Sequence, residues 1–357
     1  MVLKIGIIGC GGIANGKHLP ALVQVEGVEL CAFCDVISDR AERAFRDFGT
    51  ANSRVFTDYQ EMLNKEELDV VHVCTPNISH AEISIAAMKA GCHVMCEKPM
   101  AKTSQEAQAM IHTSKVTGKK LTIGYQNRFR ADSRYLHKVC HDGDLGEIYF
   151  GKAHAVRRRA VPTWGVFLDE EAQGGGALID IGTHALDLTL WMMNNYRPKY
   201  VVGKAYHQLS TTEGAANAWG PWEPEKFKVE DSAFGFVMME NGTGIFLESS
   251  WALNSLEIKE AKTSLYGSKG GADMNDGLTI NGEEQGLLYQ KKIELQTGGV
   301  DFYDGRNEDP ALEEAKFWIE SIVNDTEPLV KPEEALVVTQ ILEAIYESSN
   351  SGKPVFL

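Results

Sequence analysis

Asp180 and His184 stand four residues apart in residues 178–193, where apolar side chains recur at helical spacing. Both therefore fall on one face of a predicted helix. A carboxylate one turn from an imidazole can orient the ring and stabilise its charged form. With an ordinary pKa of about 6.5, that imidazole is a workable base near neutral pH. Lys98, just ahead of Pro99, adds a cation that can lower the pKa of a hydroxyl or, once desolvated, take its proton. Together the three could remove a proton from an alcohol and steady the alkoxide; which of Lys98 and His184 is the formal base stays open. Singly they have plainer readings. A histidine in an apolar helix is usually packed in the core, and a lysine before proline usually sits at a surface turn. The cluster Gly174-Gly-Gly176 feeding the helix, and a nucleotide-binding turn at the chain start, favour chemistry instead. Pro99 also permits a cis bond after Lys98, which would aim that side chain.

The turn is Gly9-Cys10-Gly11-Gly12-Ile13-Ala14, which follows the first predicted strand, opens a helix and matches G-x-G-x-x-[GA]. Gly9 suits the tight turn, Gly11 lets the backbone approach a pyrophosphate, and Ala14 allows close helix–strand packing. The amides of the helix start, at Gly12 and Ile13, then face the phosphates. Asp35 ends the second predicted strand, 26 residues after Gly9, where an acid accepts hydrogen bonds from an adenosine ribose. A carboxylate there repels the 2′-phosphate of NADP. Val36-Ile37 bring no cation, although Arg40 lies close enough to reach back. NAD rather than NADP is the expected cofactor. Cys31 and Cys34 form a C-x-x-C, but residues three apart on a strand point to opposite faces, and no second pair completes a zinc set. Cys92 and Cys96 read the same way, so no metal site is expected.

The elements that must position these residues change character near Tyr125. Before it, strand-length apolar runs at 3–8, 28–34, 70–74, 93–96 and 121–123 alternate with helical patterns at 19–25, 38–48, 59–63, 80–90 and 104–117. Such alternation predicts a doubly wound parallel sheet covered on both faces. Beyond it come helices at 131–142 and 178–193. Strands follow at 147–156, 200–209, 232–240, 243–252, 263–266, 278–280 and 287–292, and two helices close the chain at 310–323 and 332–348. Turns such as Asn241-Gly242 and Gly267-Ser-Lys-Gly-Gly271 separate the later strands, as antiparallel neighbours require. The expected architecture is α/β: a Rossmann domain at 1–125 and an α+β domain at 126–357 built on a large, mostly antiparallel open sheet.

Bulk composition agrees. The 357 residues, 43% hydrophobic and 24% charged, are ordinary globular composition, and at roughly 150 residues per domain they suggest two domains. With 35 basic against 50 acidic residues the net charge is −15, which lacks the basic footprint that nucleic acid or an anionic membrane needs. No apolar run is long enough to span a bilayer, and the start reads as a buried strand rather than a signal peptide. Seven cysteines without framework spacing suit reduced thiols in the cytoplasm.

In chain order, Gly9-x-Gly11-Gly12-x-Ala14, Cys74-Thr-Pro-Asn77 with His80, Glu97-Lys98-Pro99, and Gly175-Gly-Ala-Leu-Ile-Asp180-Ile-Gly182-Thr-His184-Ala-Leu-Asp187 resemble the glucose–fructose oxidoreductase/inositol dehydrogenase/rhizopine catabolism (Gfo/Idh/MocA) family. The resemblance runs over essentially the whole chain, to Pro332-Glu-Glu-Ala-Leu and Gly352-Lys-Pro-Val. Within the family, three stretches look closest to the bacterial glucoside 3-dehydrogenases. They are Cys92-His-Val-Met-Cys-Glu-Lys-Pro99, Val161-Pro-Thr-Trp-Gly-Val-Phe167 with Gln173-Gly-Gly-Gly176, and Val229-Glu-Asp-Ser232. The resemblance implies NAD(P) bound between a Rossmann domain and an open-sheet domain, and homodimers or homotetramers joined through exposed sheet faces. It places Thr75, Pro76, Asn77 and His80 along the cofactor at one strand end, with Glu97 and Lys98 one strand further on, where open α/β sheets bind ligands. The family's catalytic residues fall on Lys98, Asp180 and His184.

Asn127 and Arg128 come just past the last strand of the first domain, where substrate would meet nicotinamide. Arg157, Trp164 and His154 occupy a strand and loop expected to face the same cleft. An aromatic face stacks on sugar C–H groups while guanidinium donors bind hydroxyls, which suits a neutral carbohydrate. Arg157-Arg158-Arg159 could instead clamp a phosphate or carry solvated charge. Asp187 and Glu230-Asp231 have structural readings. The expected activity is reversible NAD-dependent oxidation of a secondary sugar hydroxyl, the 3-hydroxyl of glucose or a glucoside, to a keto sugar. Alternatives are an inositol dehydrogenase, an NAD-dependent glycosidase acting through a 3-keto intermediate, and a non-catalytic NAD-sensing regulator. The joint presence of Lys98, Asp180 and His184 speaks against the last, since a sensor needs no base.

Overall fold

The computed structural model describes residues 2–295 and 309–357. It divides into two compact units, Met1–Gln126 with Asp309–Leu336 and Asn127–Glu308 with Val337–Leu357. In unit 1, six strands lie parallel in the order β3-β2-β1-β4-β5-β6: β1 (Leu3–Ile8), β2 (Val28–Cys34), β3 (Arg54–Phe56), β4 (Val70–Val73), β5 (His93–Cys96) and β6 (Leu121–Ile123). This is the expected doubly wound sheet, its strand order reversing between β1 and β4. The central β4 is buried at every residue, as a strand covered on both faces must be, yet it carries a histidine, His72. Edge strand β3 escapes prediction because only Phe56 of its three residues is buried. The connecting helices are cut sharply. Ser104–Thr117 starts in a reciprocal Thr103–Glu106 capping box and stops at Gly118 in the left-handed region, φ +68°.

A division of the chain at 125/126 does not contain the return of 309–336 to unit 1. Helix Pro310–Val323 brings Ala315, Trp318 and Ile319 into the same buried cluster as Leu19, Leu22 and Phe33. The Thr122 hydroxyl donates to Val330 O at 2.9 Å. Burial of the Trp318 indole recruits the segment.

Unit 2 holds a nine-stranded sheet in the order β14-β13-β12-β11-β7-β10-β9-β8-β15. Its strands are β7 (Ile148–Val156), β8 (Pro198–Tyr206), β9 (Ser232–Met239), β10 (Gly244–Ser250), β11 (Lys259–Gly267), β12 (Gly270–Asp273), β13 (Thr279–Glu284), β14 (Leu287–Lys292) and β15 (Val355–Phe356). Every pairing is antiparallel except β10 with β7, matching the expected mostly antiparallel sheet. The stretch read as a turn at 267–271 is shorter in fact: Ser268 and Lys269 turn the chain and the glycines pair as strand. Helix Thr183–Met193 packs across β7 and β11. That helix carries His184.

Candidate active site

The strands of unit 1 release their loops at one edge. Gly9 N–H donates to Cys34 O at 2.8 Å, Cys74 N–H to Ile8 O at 2.7 Å, and Glu97 N–H to Val73 O at 2.9 Å. Gly9 has φ +91°, and a Cβ there would lie 2.6 Å from the Cys74 carbonyl group, so only glycine turns the chain at this contact. A Cβ on Gly11 or Gly12 would meet nothing within 4 Å. Packing does not require those glycines; they leave bare backbone at a helix start, the surface a pyrophosphate needs. Buried Asp35 accepts Cys10 N–H through Oδ2 and Ile37 N–H through Oδ1, each at 2.9 Å. These bonds fix its carboxylate at the end of β2 beside the turn, with Val36, Ile37 and Arg40 exposed next to it. The residues fit a dinucleotide. Ile13 is exposed and Ala14 buried at the start of a π-helical turn, Ala14–His18, closed by Leu19 N–H to Ala14 O. Such wide turns concentrate at functional sites.

Thr75 and Asn77 are half-buried and Pro76 exposed beyond β4; Lys98 and Asn127 are half-buried, and the Lys98–Pro99 bond is cis. Two further residues expected along the cofactor, His80 and Glu97, have protein partners. His80 is buried, Nδ1 at 2.8 Å from Pro99 O and Nε2 at 2.9 Å from Thr75 O. Its ring braces the end of β4 against the Lys98–Pro99 loop. Glu97 is also buried. Its Oε1 accepts from Lys17 Nζ at 2.7 Å and lies 2.8 Å from His18 Nε2, while Oε2 accepts Lys98 N–H at 3.1 Å.

Lys17 reaches Glu314 at 2.8 Å as well, and His18 Nδ1 lies 3.0 Å from His72 Nδ1. Burial works to raise Glu97's pKa, but Lys17 and His18 hold it well below the ordinary range. Burial works against the charge of Lys17, yet Glu314 and Glu97 push its pKa up. Burial pushes Glu314 up, and burial, then the charges of His18 and Lys17, hold His72 well down. This network beneath the nucleotide turn escaped sequence reasoning. Its available signals were Lys17-His18 directly after the turn and a histidine within an otherwise apolar strand.

In unit 2 the predicted helix opens with a second π-helical turn, Leu178–Gly182, in which Thr183 N–H bonds to Leu178 O. Throughout residues 177–192 every residue is buried except Asp180 and His184. Asp180 Oδ2 accepts the indole N–H of fully buried Trp251 at 2.9 Å. Glu230 holds the start of this turn, accepting Gly176 N–H and Leu178 N–H at 2.8 Å each and the Tyr346 hydroxyl at 2.9 Å. Burial pushes the Glu230 pKa up against these bonds. A Cβ on Gly176 would come within 2.2 Å of Glu230 O, so the glycine cluster serves close packing.

The residues expected to bind substrate separate. Arg128 is fully buried, its guanidinium engaged by Asp187 and lying 5.5 Å from the Trp191 ring centre; it is structural. His154 is likewise buried, Nδ1 at 2.6 Å from Glu248 Oε1 and Nε2 at 3.0 Å from the Ser264 hydroxyl. It braces β7 between its neighbours. Arg157 donates through Nε to Glu260 Oε2 at 2.7 Å, and Trp164 is exposed. All seven cysteines are free thiols, with burial and the Asp35 charge pushing Cys34 up to about 12. Among the described residues no cluster of His, Cys, Asp or Glu could hold a metal, and no helix is long and apolar enough to cross a membrane.

Comparison with known proteins adds sequence evidence to this geometry. The model of an oxidoreductase family with an NAD-binding Rossmann fold matches residues 3–125, and that of the GFO/IDH/MocA C-terminal domain matches residues 133–273. The chain is 34% identical to D-glucoside 3-dehydrogenase of Escherichia coli (strain K12), over 99% of this chain and 97% of that protein. All of it superposes on an aldose-aldose oxidoreductase from Caulobacter crescentus complexed with glycerol, with TM-score 0.79, 24% identity and 100% of that chain covered. It also superposes on a levoglucosan dehydrogenase in complex with NADH and levoglucosan, with TM-score 0.84, 20% identity and 99% of that chain covered.

Proposed function

The chain belongs to the GFO/IDH/MocA oxidoreductase family, and on that premise we propose that it oxidises a secondary hydroxyl of a sugar, reversibly and with NAD. The 3-hydroxyl of glucose or a glucoside is the position suggested by the similarity to D-glucoside 3-dehydrogenase. One observation carries the reading: across residues 177–192 every residue is buried except Asp180 and His184. Gly9, Gly11, Gly12, Ile13, Ala14, Asp35, Thr75, Pro76, Asn77, Lys98 and Asn127 are the residues that would hold the dinucleotide. When bound, its nicotinamide supplies the hydride acceptor.

The protein's share is the proton. Either His184 or Lys98 takes it from the hydroxyl, and Asp180, itself held by Trp251, orients the imidazole and favours its charged form. Lys98 contributes the cation that favours alkoxide character. Asp35, with no cation fixed beside it, disfavours a 2′-phosphate and so supports NAD over NADP. Free thiols throughout are in keeping with the cytoplasm, and a homodimer or homotetramer remains part of the proposal.

The test is nicotinamide reduction with glucose, methyl glucoside, myo-inositol and levoglucosan, each with NAD and NADP. Asp180→Asn and His184→Ala should each lose about 10²–10⁴-fold in kcat while still binding NADH, and Lys98→Met should lose as much in kcat and also bind NADH more weakly. Tight NADH binding with no reduction by any sugar would replace the enzyme with a sensor. Release of aglycone without net NADH would make it a glycosidase.

A further inference from the structure

Trp164 and Trp219 come from different loops of unit 2 and meet with ring centres 4.8 Å apart and planes at 83°. Trp164 is 50% exposed and Trp219 45%, so two indoles form a right-angled corner with about half of each open. Phe167 backs Trp164 edge-on at 5.9 Å. Large aromatic faces left in water forgo the gain of burial, and a paired set of them marks a contact surface.

The loops are tied together. Asn217 accepts Val161 N–H at 2.8 Å and donates to Val161 O at 3.0 Å and Gly220 O at 2.7 Å. The Thr163 hydroxyl donates to Trp219 O at 2.8 Å, and Ala218 N–H to Arg159 O at 3.0 Å. The corner is therefore held in place before any ligand arrives. Its rim is polar. The Arg157 guanidinium lies 5.5 Å from the Trp219 ring centre and is paired with Glu260. Burial opposes the charge of Arg157, while Glu260 and then Asp180 favour it. Ala160 N–H, three residues past Arg157, donates to Trp251 O at 2.9 Å, and the Trp251 indole holds Asp180.

We propose that Trp164 and Trp219 form a stacking site for a pyranose ring, with Arg157 and Glu260 addressing its hydroxyls. A pyranose presents a C–H face to an indole and hydroxyls at its edge, which matches an aromatic corner with a charged but neutralised rim. Glu260 offsets the charge of Arg157, so a phosphate finds no net attraction there, and a wholly apolar ligand would desolvate the ion pair without replacing its bonds. The ring is either the one oxidised or one joined to it. This inference deepens the sugar-oxidation reading and rests on it for the link to turnover.

Binding is measured first without turnover, by titrating tryptophan emission with methyl glucoside (one ring) and cellobiose (two rings). Wild type, Trp219→Ala and Trp219→Phe are compared, each with native circular dichroism and wild-type NADH affinity. Trp219→Ala should weaken binding about tenfold or more, with Trp219→Phe recovering most of it; in turnover the loss should appear in KM, with kcat within about twofold. Trp164→Ala, on the other loop, gives the same readout if Trp219→Ala loses its native spectrum. A larger loss for cellobiose assigns the site to the attached ring, and equal losses assign it to the reacting ring. Unchanged affinity for both sugars in both alanine variants overturns the stacking site even where wild type oxidises sugar. Sugar binding through Trp219 without any NAD reduction overturns the oxidation reading and leaves the site standing.

Discussion

Arg128 and Asp187 face each other in a fully buried, two-pronged ion pair, Nε to Oδ2 at 3.0 Å and Nη2 to Oδ1 at 2.6 Å. Asp187 lies about one turn past His184 on the same helix, so the pair anchors the helix from its buried side. Removing one partner strands the other charge in the interior, at a cost of about 3–5 kcal/mol. Asp187→Ala should lose that much stability in urea unfolding, and a loss under about 1 kcal/mol would contradict the arrangement. Activity per folded molecule should change little.

Lys17→Met is expected to cost a similar amount, about 3–5 kcal/mol, because two buried carboxylates, Glu97 and Glu314, lose their cation. The pH dependence of stability follows from the same network. Glu97's folded pKa is depressed, so its contribution is complete above the unfolded value of roughly 4.3 and fades as pH falls through the folded one. His72, faced by His18, Lys17 and Glu97, is likewise depressed. Its contribution is complete above about 6.5 and declines below that as the unfolded chain takes up a proton. Lys17 is raised, so its contribution holds below about 10.4 and is lost as pH rises through the folded value. Urea midpoints measured from about pH 8 down to about pH 4 should show the histidine limb first. If His72→Gln leaves that limb unaltered, His72 is not its source.

Alanine separates two glycines of one motif. Gly9→Ala meets backbone at 2.6 Å in a left-handed turn, and should destabilise unit 1 by about 2–3 kcal/mol or prevent folding. Gly11→Ala meets nothing and should melt with wild type while binding NADH at least about tenfold more weakly. Calorimetry and NADH fluorescence check the pair. Equal melting losses in both variants would refute the assignment of Gly11 to a ligand.

Trp251→Phe keeps the aromatic body and removes the only donor the indole offers Asp180. A hydrogen bond to a charged group is worth about 1.5–3 kcal/mol, so kcat/KM should fall by roughly ten- to a hundredfold. A fall in kcat/KM of less than about threefold would assign Trp251 to packing alone.

Parts of this molecule that follow from local chemistry were legible in the sequence. The boundaries of β1, β2, β5 and the helix Ser104–Thr117 agree with the apolar pattern, and Gly9 was correctly required by the turn. Residues 178–193 announced a helix, although not the wide turn that opens it between Asp180 and His184. Partners arriving from far along the chain left no such mark. Glu97 and His80 have the right types at the right strand end, yet Lys17, 80 residues away, claims the carboxylate, and two carbonyls claim the imidazole. Arg128 has the chemistry of a sugar ligand, but Asp187, 59 residues on, takes it inside. Strand β12 hid in a glycine-rich stretch because pairing with β11 and β13, rather than side-chain preference, makes it a strand.

The two wide turns, Ala14–His18 and Leu178–Gly182, each hold one residue more than regular winding needs. Excising that residue would rewind the helix and swing whatever follows by about 100°. Lys17 and His18 would leave Glu97 in the first case, and His184 would change direction relative to Asp180 in the second. A one-residue alignment gap in either turn should therefore mark a lineage that has abandoned this arrangement, even where all its signature letters survive.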